Sequence, residues 1–195
     1  LCVDALEDWG RIAKKDLPVL VTGAAGGVGS TAISLLAAKG YAVTASTGRP
    51  ETHDYLTGLG ATGFIERASL AEKGKPLDRE RWSGAVDTVG STTLANVLAQ
   101  TAYGGAVAAC GLAGGMDLPA TVAPHILRGV TLIGIDSVMT PRDKRERAWA
   151  TLSGHLEKAQ LETIAHVEPL SELPRLAEEI VAGQIRGRVI IDVRA

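Results

Sequence analysis

Aromatic side chains are scarce in this sequence: of 195 residues only 4% are Phe, Trp or Tyr, too few to build a platform on which bases stack. Cysteine is rarer, with Cys2 and Cys110 far apart in the chain and in no CxxC spacing. That argues against a structural zinc site and a secreted disulfide scaffold, and it fits a reducing cytoplasm. His53, His125, His155 and His166 are scattered, with no metal spacing, so no metal ligand set is expected. Net charge is also nearly absent, since 20 basic and 22 acidic residues leave −2, which weakens a nucleic-acid reading. No apolar run approaches the ~18 residues of a membrane span. No basic segment leading into an apolar run marks a signal peptide.

What remains is a soluble globular composition, 46% hydrophobic and 22% charged, with 23 glycines to make tight turns. The length allows one large domain, or one domain with an appended piece. The chain opens on Leu1, already in helical periodicity through Trp9 and ended by Gly10, which reads as a piece of a longer protein.

Pro18–Thr22 is short, apolar and followed at once by glycines, as a buried parallel strand is. Helical spacing then runs from Ser30 to Lys39, and a second strand covers Ala42–Ser46, completing one βαβ unit. The alternation continues with a helix near Glu51–Thr57, a strand Gly63–Ile65, a polar stretch at 71–81 and a strand Gly84–Asp87. A helix Thr92–Gln100, a strand Ala106–Cys110, a short helix Val122–Leu127 and a strand Val130–Ile135 follow. Six strands interleaved with helices predict an α/β fold, a doubly wound parallel Rossmann sheet whose strand C-termini share one ligand edge. Thr140, Pro141 and Asp143 predict the start of a helix reaching about Lys158, its charged run Arg142–Arg147 on a solvated face. A strand near Ile164–Val167, a helix near Leu173–Ala182 and a strand Arg188–Val193 break the alternation and point to another layer. The expected division is therefore residues 1–165 as the cofactor domain and 166–195 as a C-terminal segment.

Thr22-Gly23-Ala24-Ala25-Gly26-Gly27-Val28-Gly29-Ser30 lies between a predicted strand and a predicted helix, the context a dinucleotide fingerprint requires. Glycines let the backbone approach a diphosphate, and free N–H groups with the helix dipole favour its charge. No Lys-Ser/Thr follows, which excludes a Walker loop. An NAD site would place an acid about 20 residues on to meet the ribose hydroxyls. Here the second strand ends in Ser46-Thr47-Gly48-Arg49, hydroxyls and a guanidinium suited to a 2′-phosphate, so NADP is expected. Arg67 is placed near the adenine side. Asp87-Thr88-Val89-Gly90, Cys110-Gly111-Leu112 and Asp136-Ser137-Val138 end strands on the same edge and are expected to line the nicotinamide half, with Asp87 capping the following turn and Cys110 a packed small side chain. The same glycine turn fits short-chain dehydrogenases, but Tyr41, Tyr55 and Tyr103 are followed four residues later by Ala45, Leu59 and Val107, so the Tyr-x-x-x-Lys pair is absent. Redox-sensing regulators built on this fold also carry such a turn, which leaves a non-catalytic NADP sensor as an alternative.

The runs Val21–Ser30, Gly48-Arg49, Asp87–Gly90, Tyr103–Gly105, Ala109–Gly115 and Asp136–Thr140 together resemble the zinc-free medium-chain reductases of the acrylyl-CoA reductase type. The resemblance covers nearly the whole chain, and Cys-Gly-Leu-Ala-Gly-Gly and Asp-Ser-Val-Met-Thr are its most specific runs. It implies NADPH-dependent reduction of the carbon–carbon double bond of acryloyl-CoA to propanoyl-CoA, with a quinone or enone reductase as the neighbouring alternative. It places cofactor contacts on Ala25, Gly26, Gly27, Val28, Thr47, Gly48, Arg49, Arg67, Leu112, Ile126 and Ser137. A family contact often made by Asn falls on Gly183. The family's GroES-like barrel, with its substrate pocket and a tyrosine near the nicotinamide, is not among these residues, so the chain alone is expected to bind NADPH without turnover. The residues from about His166 are expected to pack on that barrel. The sixth strand is expected to extend a sheet across a homodimer, with no nucleic-acid or membrane partner and an acyl-CoA thioester as small-molecule substrate. No catalytic residue is assigned.

Overall fold

Three apolar residues in a row are stable in a strand only where both faces of the sheet are covered, and Val19–Val21 (β1) is fully buried. The computed structural model describes residues 1–12 and 16–195, and in it β1 stands at the middle of a six-stranded parallel sheet. Its neighbours are β2 (Val43–Thr47) on one side and β4 (Trp82–Asp87) on the other, so that Val19 faces both Val43 and Gly84. Beyond β2 lies β3 (Gly63–Glu66), and beyond β4 lie β5 (Thr101–Ala109) and β6 (Thr131–Gly134), giving the order β3-β2-β1-β4-β5-β6. The order reverses between β1 and β4, where such sheets bind ligands at their carboxyl ends. The doubly wound sheet read from the alternation of elements is therefore present.

Side-chain alternation sorts the core into two layers. Val19, Val21, Val86, Ala106 and Ala108 face α1 (Cys2–Trp9) and α2 (Gly27–Ala38), whereas Leu20, Ala85 and Val107 face α4 (Ser91–Gln100) with Leu94, Val97 and Leu98. Helix α2 begins three residues ahead of the predicted Ser30, because the glycines themselves take the first turn with Gly26 as N-cap. Its Ile33 and Leu36 are fully buried. Helix α1 crosses to the far half of the sheet, where the Trp9 indole N–H donates to the Gly104 carbonyl at 2.9 Å. Between β2 and β3, a 3-10 turn at Pro50–Thr52 precedes α3 (His53–Gly58), and α5 (Ala123–Arg128) lies between β5 and β6.

The predicted helix to about Lys158 is α6 (Arg142–His155), three residues shorter, and a further helix that was not predicted, α7 (Lys158–Ile164), follows it. Leu156 takes an extended conformation and Glu157 caps α7 through a capping box with Gln160, so α6 stops short of Lys158 and a new helix starts there. At the other end Pro141 is the N-cap, just before the first helical residue Arg142, and the Thr140 hydroxyl donates to the Asp136 carbonyl. The charged run Arg142–Arg147 is exposed along its length, as expected, and makes surface contacts there: Arg147 pairs with Asp8 on α1, and Arg145 donates to the carbonyls of Ser137 and Val138. After α7, β7 (Ala165–Pro169) pairs in parallel with β8 (Arg188–Asp192) in a separate two-stranded sheet, with α8 (Leu173–Val181) as the crossover. No helix among the described residues is long and apolar enough to cross a membrane.

Candidate functional site

The carboxyl ends of β1, β2 and β4 border a groove of about 580 Å³ that runs across the point where the strand order reverses. The glycine turn after β1 forms its floor. Gly23 holds φ at +58°, and a Cβ there would lie 2.1 Å from the Thr88 hydroxyl oxygen. A Cβ on Gly29 would come within 2.4 Å of the Gly23 carbonyl oxygen, so only glycine lets the first turn of α2 close down on the loop. With glycines at these close approaches and α2's first N–H groups at its start, this is a cradle shaped for a diphosphate.

One buried network ties the turn to the sheet. The Thr22 hydroxyl accepts from the Thr88 N–H at 3.0 Å and donates to Asp87 Oδ1 at 2.7 Å, while Asp87 Oδ2 accepts from the Gly90 N–H at 2.8 Å. Asp87 thus caps its turn as expected. Burial pushes its carboxyl above the ordinary range, against the lowering effect of the bonds from Thr22, Gly90 and Val89.

At the end of β2 the Arg49 backbone N–H donates to Thr47 Oγ1 at 3.1 Å, and the Thr52 hydroxyl donates to the Arg49 carbonyl at 2.6 Å. The Arg67 guanidinium lies against Gly48, where a Cβ would come within 3.0 Å of its Nε. Ala25, Gly26, Thr47, Gly48, Arg49 and Arg67, named from the sequence, all line the groove. Gly27 and Val28 begin α2 at its edge, Val28 half-exposed. Leu112, Ile126 and Ser137 are exposed beyond it, at the β5 and β6 end of the ligand edge, and do not line this groove.

Three contributions escaped the sequence reading. Ile180 and Ile185 of the tail line the groove, and the Arg188 guanidinium stands over Gly27, so close that a Cβ there would lie 2.6 Å from its central carbon. The only local signal was two arginines flanking Gly187 in a chain of otherwise mixed charge. The two cysteines, remote in sequence, also come within each other's influence, which raises the Cys2 thiol and lowers that of Cys110, while the Cys110 thiol donates to the Asp87 carbonyl at 3.5 Å. Among the described residues no group of three or more His, Cys, Asp or Glu side chains is arranged to hold a metal ion.

A parallel sheet of this order, with a side-chain-free turn and a helix N-terminus at its switch point, defines a dinucleotide-binding domain of the Rossmann type. The family of zinc-binding dehydrogenases matches residues 27–154, and the chain belongs to that family. It is 55% identical, over its whole length, to the acrylyl-CoA reductase AcuI of Ruegeria pomeroyi, of which it covers 59%. Among solved structures it is similar to the yhdH oxidoreductase of Salmonella enterica in complex with NADP (49% identity, TM-score 0.94, 98% of this chain and 59% of that one). It is also similar to yhfP of Bacillus subtilis with NAD bound (46% identity, TM-score 0.91, 98% and 59%). The chain thus spans about three-fifths of the length of these relatives.

Proposed function

We propose that this chain is the NADPH-holding part of an oxidoreductase that reduces the carbon–carbon double bond of acryloyl-CoA to propanoyl-CoA. The observation that carries the cofactor is Arg49: a half-buried guanidinium on the groove, at the end of the strand where an NAD site would present an acid. The identity to acrylyl-CoA reductase supports the substrate. In this reading the turn Ala25–Val28 holds the diphosphate, Arg188 adds positive charge above it, and Thr47, Gly48 and Arg49 take the 2′-phosphate. Arg67 lies against the adenosine, and Leu112, Ile126 and Ser137 meet the nicotinamide half once the rest of the protein closes over that edge. The bound dinucleotide supplies the hydride for the β-carbon of the thioester. The chain's own contribution is binding and orientation, and the proton donor and thioester pocket belong to the length of the relatives outside it.

Several further readings rest on the same footing. Residues 1–165 form the cofactor domain, and 166–195 dock on the missing part through apolar side chains such as Val167, Ile180, Val181 and Val193, all more than half exposed. The reaction proceeds without zinc, the protein resides in the cytoplasm, and β6 pairs across a homodimer.

Calorimetry tests the cofactor directly. NADPH is expected to bind at least about tenfold tighter than NADH, and Arg49→Ala to abolish the difference, a loss of about 1.4 kcal/mol or more. Equal affinities in the parent would overturn the assignment. For the reaction, NADPH oxidation by the full-length enzyme is expected with acryloyl-CoA, and by this chain alone it is not; a full-length enzyme that consumed only quinones would refute the substrate.

A further inference from the structure

The side chain that reads the extra phosphate is itself held by the C-terminal tail. Arg49 Nη1 donates to the Gln184 carbonyl at 2.7 Å and Nη2 to the Ile185 carbonyl at 3.1 Å. The segment that supplies these carbonyls lies across the groove as a strap with its own anchors. The Gly187 N–H donates to the Ala25 carbonyl at 2.8 Å. The Arg186 guanidinium stacks 4.5 Å above the ring of Tyr55, whose hydroxyl donates to Ser30 Oγ at 2.8 Å on α2. Gly187 sits at φ +60°, and a Cβ there would fall 2.0 Å from the Ile164 carbonyl oxygen, so the strap reaches this depth only through glycine.

We propose that the Gln184–Gly187 strap is a specificity element: by pinning Arg49 through two carbonyls it fixes the guanidinium fork for the 2′-phosphate and so sets the preference for NADPH over NADH. The proposal rests on the cofactor reading above and adds the device that makes it selective. An arginine on an exposed loop must give up side-chain freedom on grasping a phosphate; one already ordered does not. A guanidinium has five N–H donors, and the two held by carbonyls leave three for a ligand. The backbone bonds of Arg49 to Thr47 and Thr52 order its main chain in the same way. The positioning residues are therefore Gly187 and Arg186, which anchor the strap to Ala25 and Tyr55 and act on Arg49 through it.

The test is the ratio of NADPH to NADH affinity, measured by calorimetry for the parent chain and for Gly187→Ala, Arg186→Ala, Arg49→Ala and the double variant Arg186→Ala/Arg49→Ala. Gly187→Ala also disturbs Ala25, which weakens both nucleotides alike and cancels in the ratio. Arg186→Ala keeps every glycine and serves if Gly187→Ala does not fold, as judged by circular dichroism. Each strap variant is expected to lower the ratio, by about threefold to tenfold, and the double variant to match Arg49→Ala alone, since a strap that acts through Arg49 has nothing left to act on. If Arg49→Ala abolishes the preference while the strap variants retain it, the strap is only structural and this inference fails with the cofactor reading intact. A higher ratio in the strap variants would mean that the carbonyls withhold Arg49 from the phosphate, which also overturns it. A parent with no preference removes both.

Discussion

Gly29 makes the closest backbone approach in the glycine turn. A methyl group there would press on the Gly23 carbonyl and the Ala24 backbone, atoms that cannot swing aside. Gly29→Ala is therefore expected to cost about 1–3 kcal/mol of stability in urea denaturation and to weaken NADPH and NADH equally. Asp87 poses a different case. Because Thr22 must donate to it and Gly90 donates as well, both carboxylate oxygens meet donors, and an amide would turn one of them into a donor facing a donor. Asp87→Asn is expected to lose about 1–3 kcal/mol. Its pH profile should change too. The folded chain holds the Asp87 proton to higher pH than the unfolded chain does, so stability falls as pH rises from the ordinary carboxylate range through the folded value and levels off above it. Denaturation midpoints across that window should slope downward with pH in the parent and less so in the variant. The groove's floor and Arg49 were legible from residue type and spacing, since a glycine run after an apolar strand and a basic residue after the next strand are local patterns. The meeting of Cys2 with Cys110, and the carbonyls that hold Arg49, were not, because each joins segments separated by most of the chain.

Among the elements, α2 couples the groove to the core. Its start borders the groove and its body is buried on β1, so its anchoring should be felt in both stability and binding. Leu36, with no exposed surface, lies on that buried face, and Leu36→Ala is expected to destabilise the chain by about 2–5 kcal/mol by urea denaturation. Strands and helices of the sheet were readable because each carries its own period: Val19–Val21 is apolar throughout and Ile33 and Leu36 recur at helical spacing. Helix α7 was not. Lys158–Ile164 is under two turns long, too short to show a helical period of its own, and what starts it is the capping box of Glu157 with Gln160.

At the scale of the molecule, β6 leaves one side of the sheet open. Its outer residues carry no charge to discourage pairing with another strand. Light scattering is expected to return twice the 20.2 kDa chain mass, and Gly134→Lys, which sets a charge at that exposed margin, to return the single mass. The topology of the sheet followed from the order of its elements, whereas the placement of the tail over the groove depends on Gly187 reaching Ala25, a contact no local pattern announces. The tether between Trp9 and Gly104 joins residues 95 apart. During synthesis α1 must therefore wait for this bond until the 95 residues that follow Trp9 have been made and the strand that receives it exists.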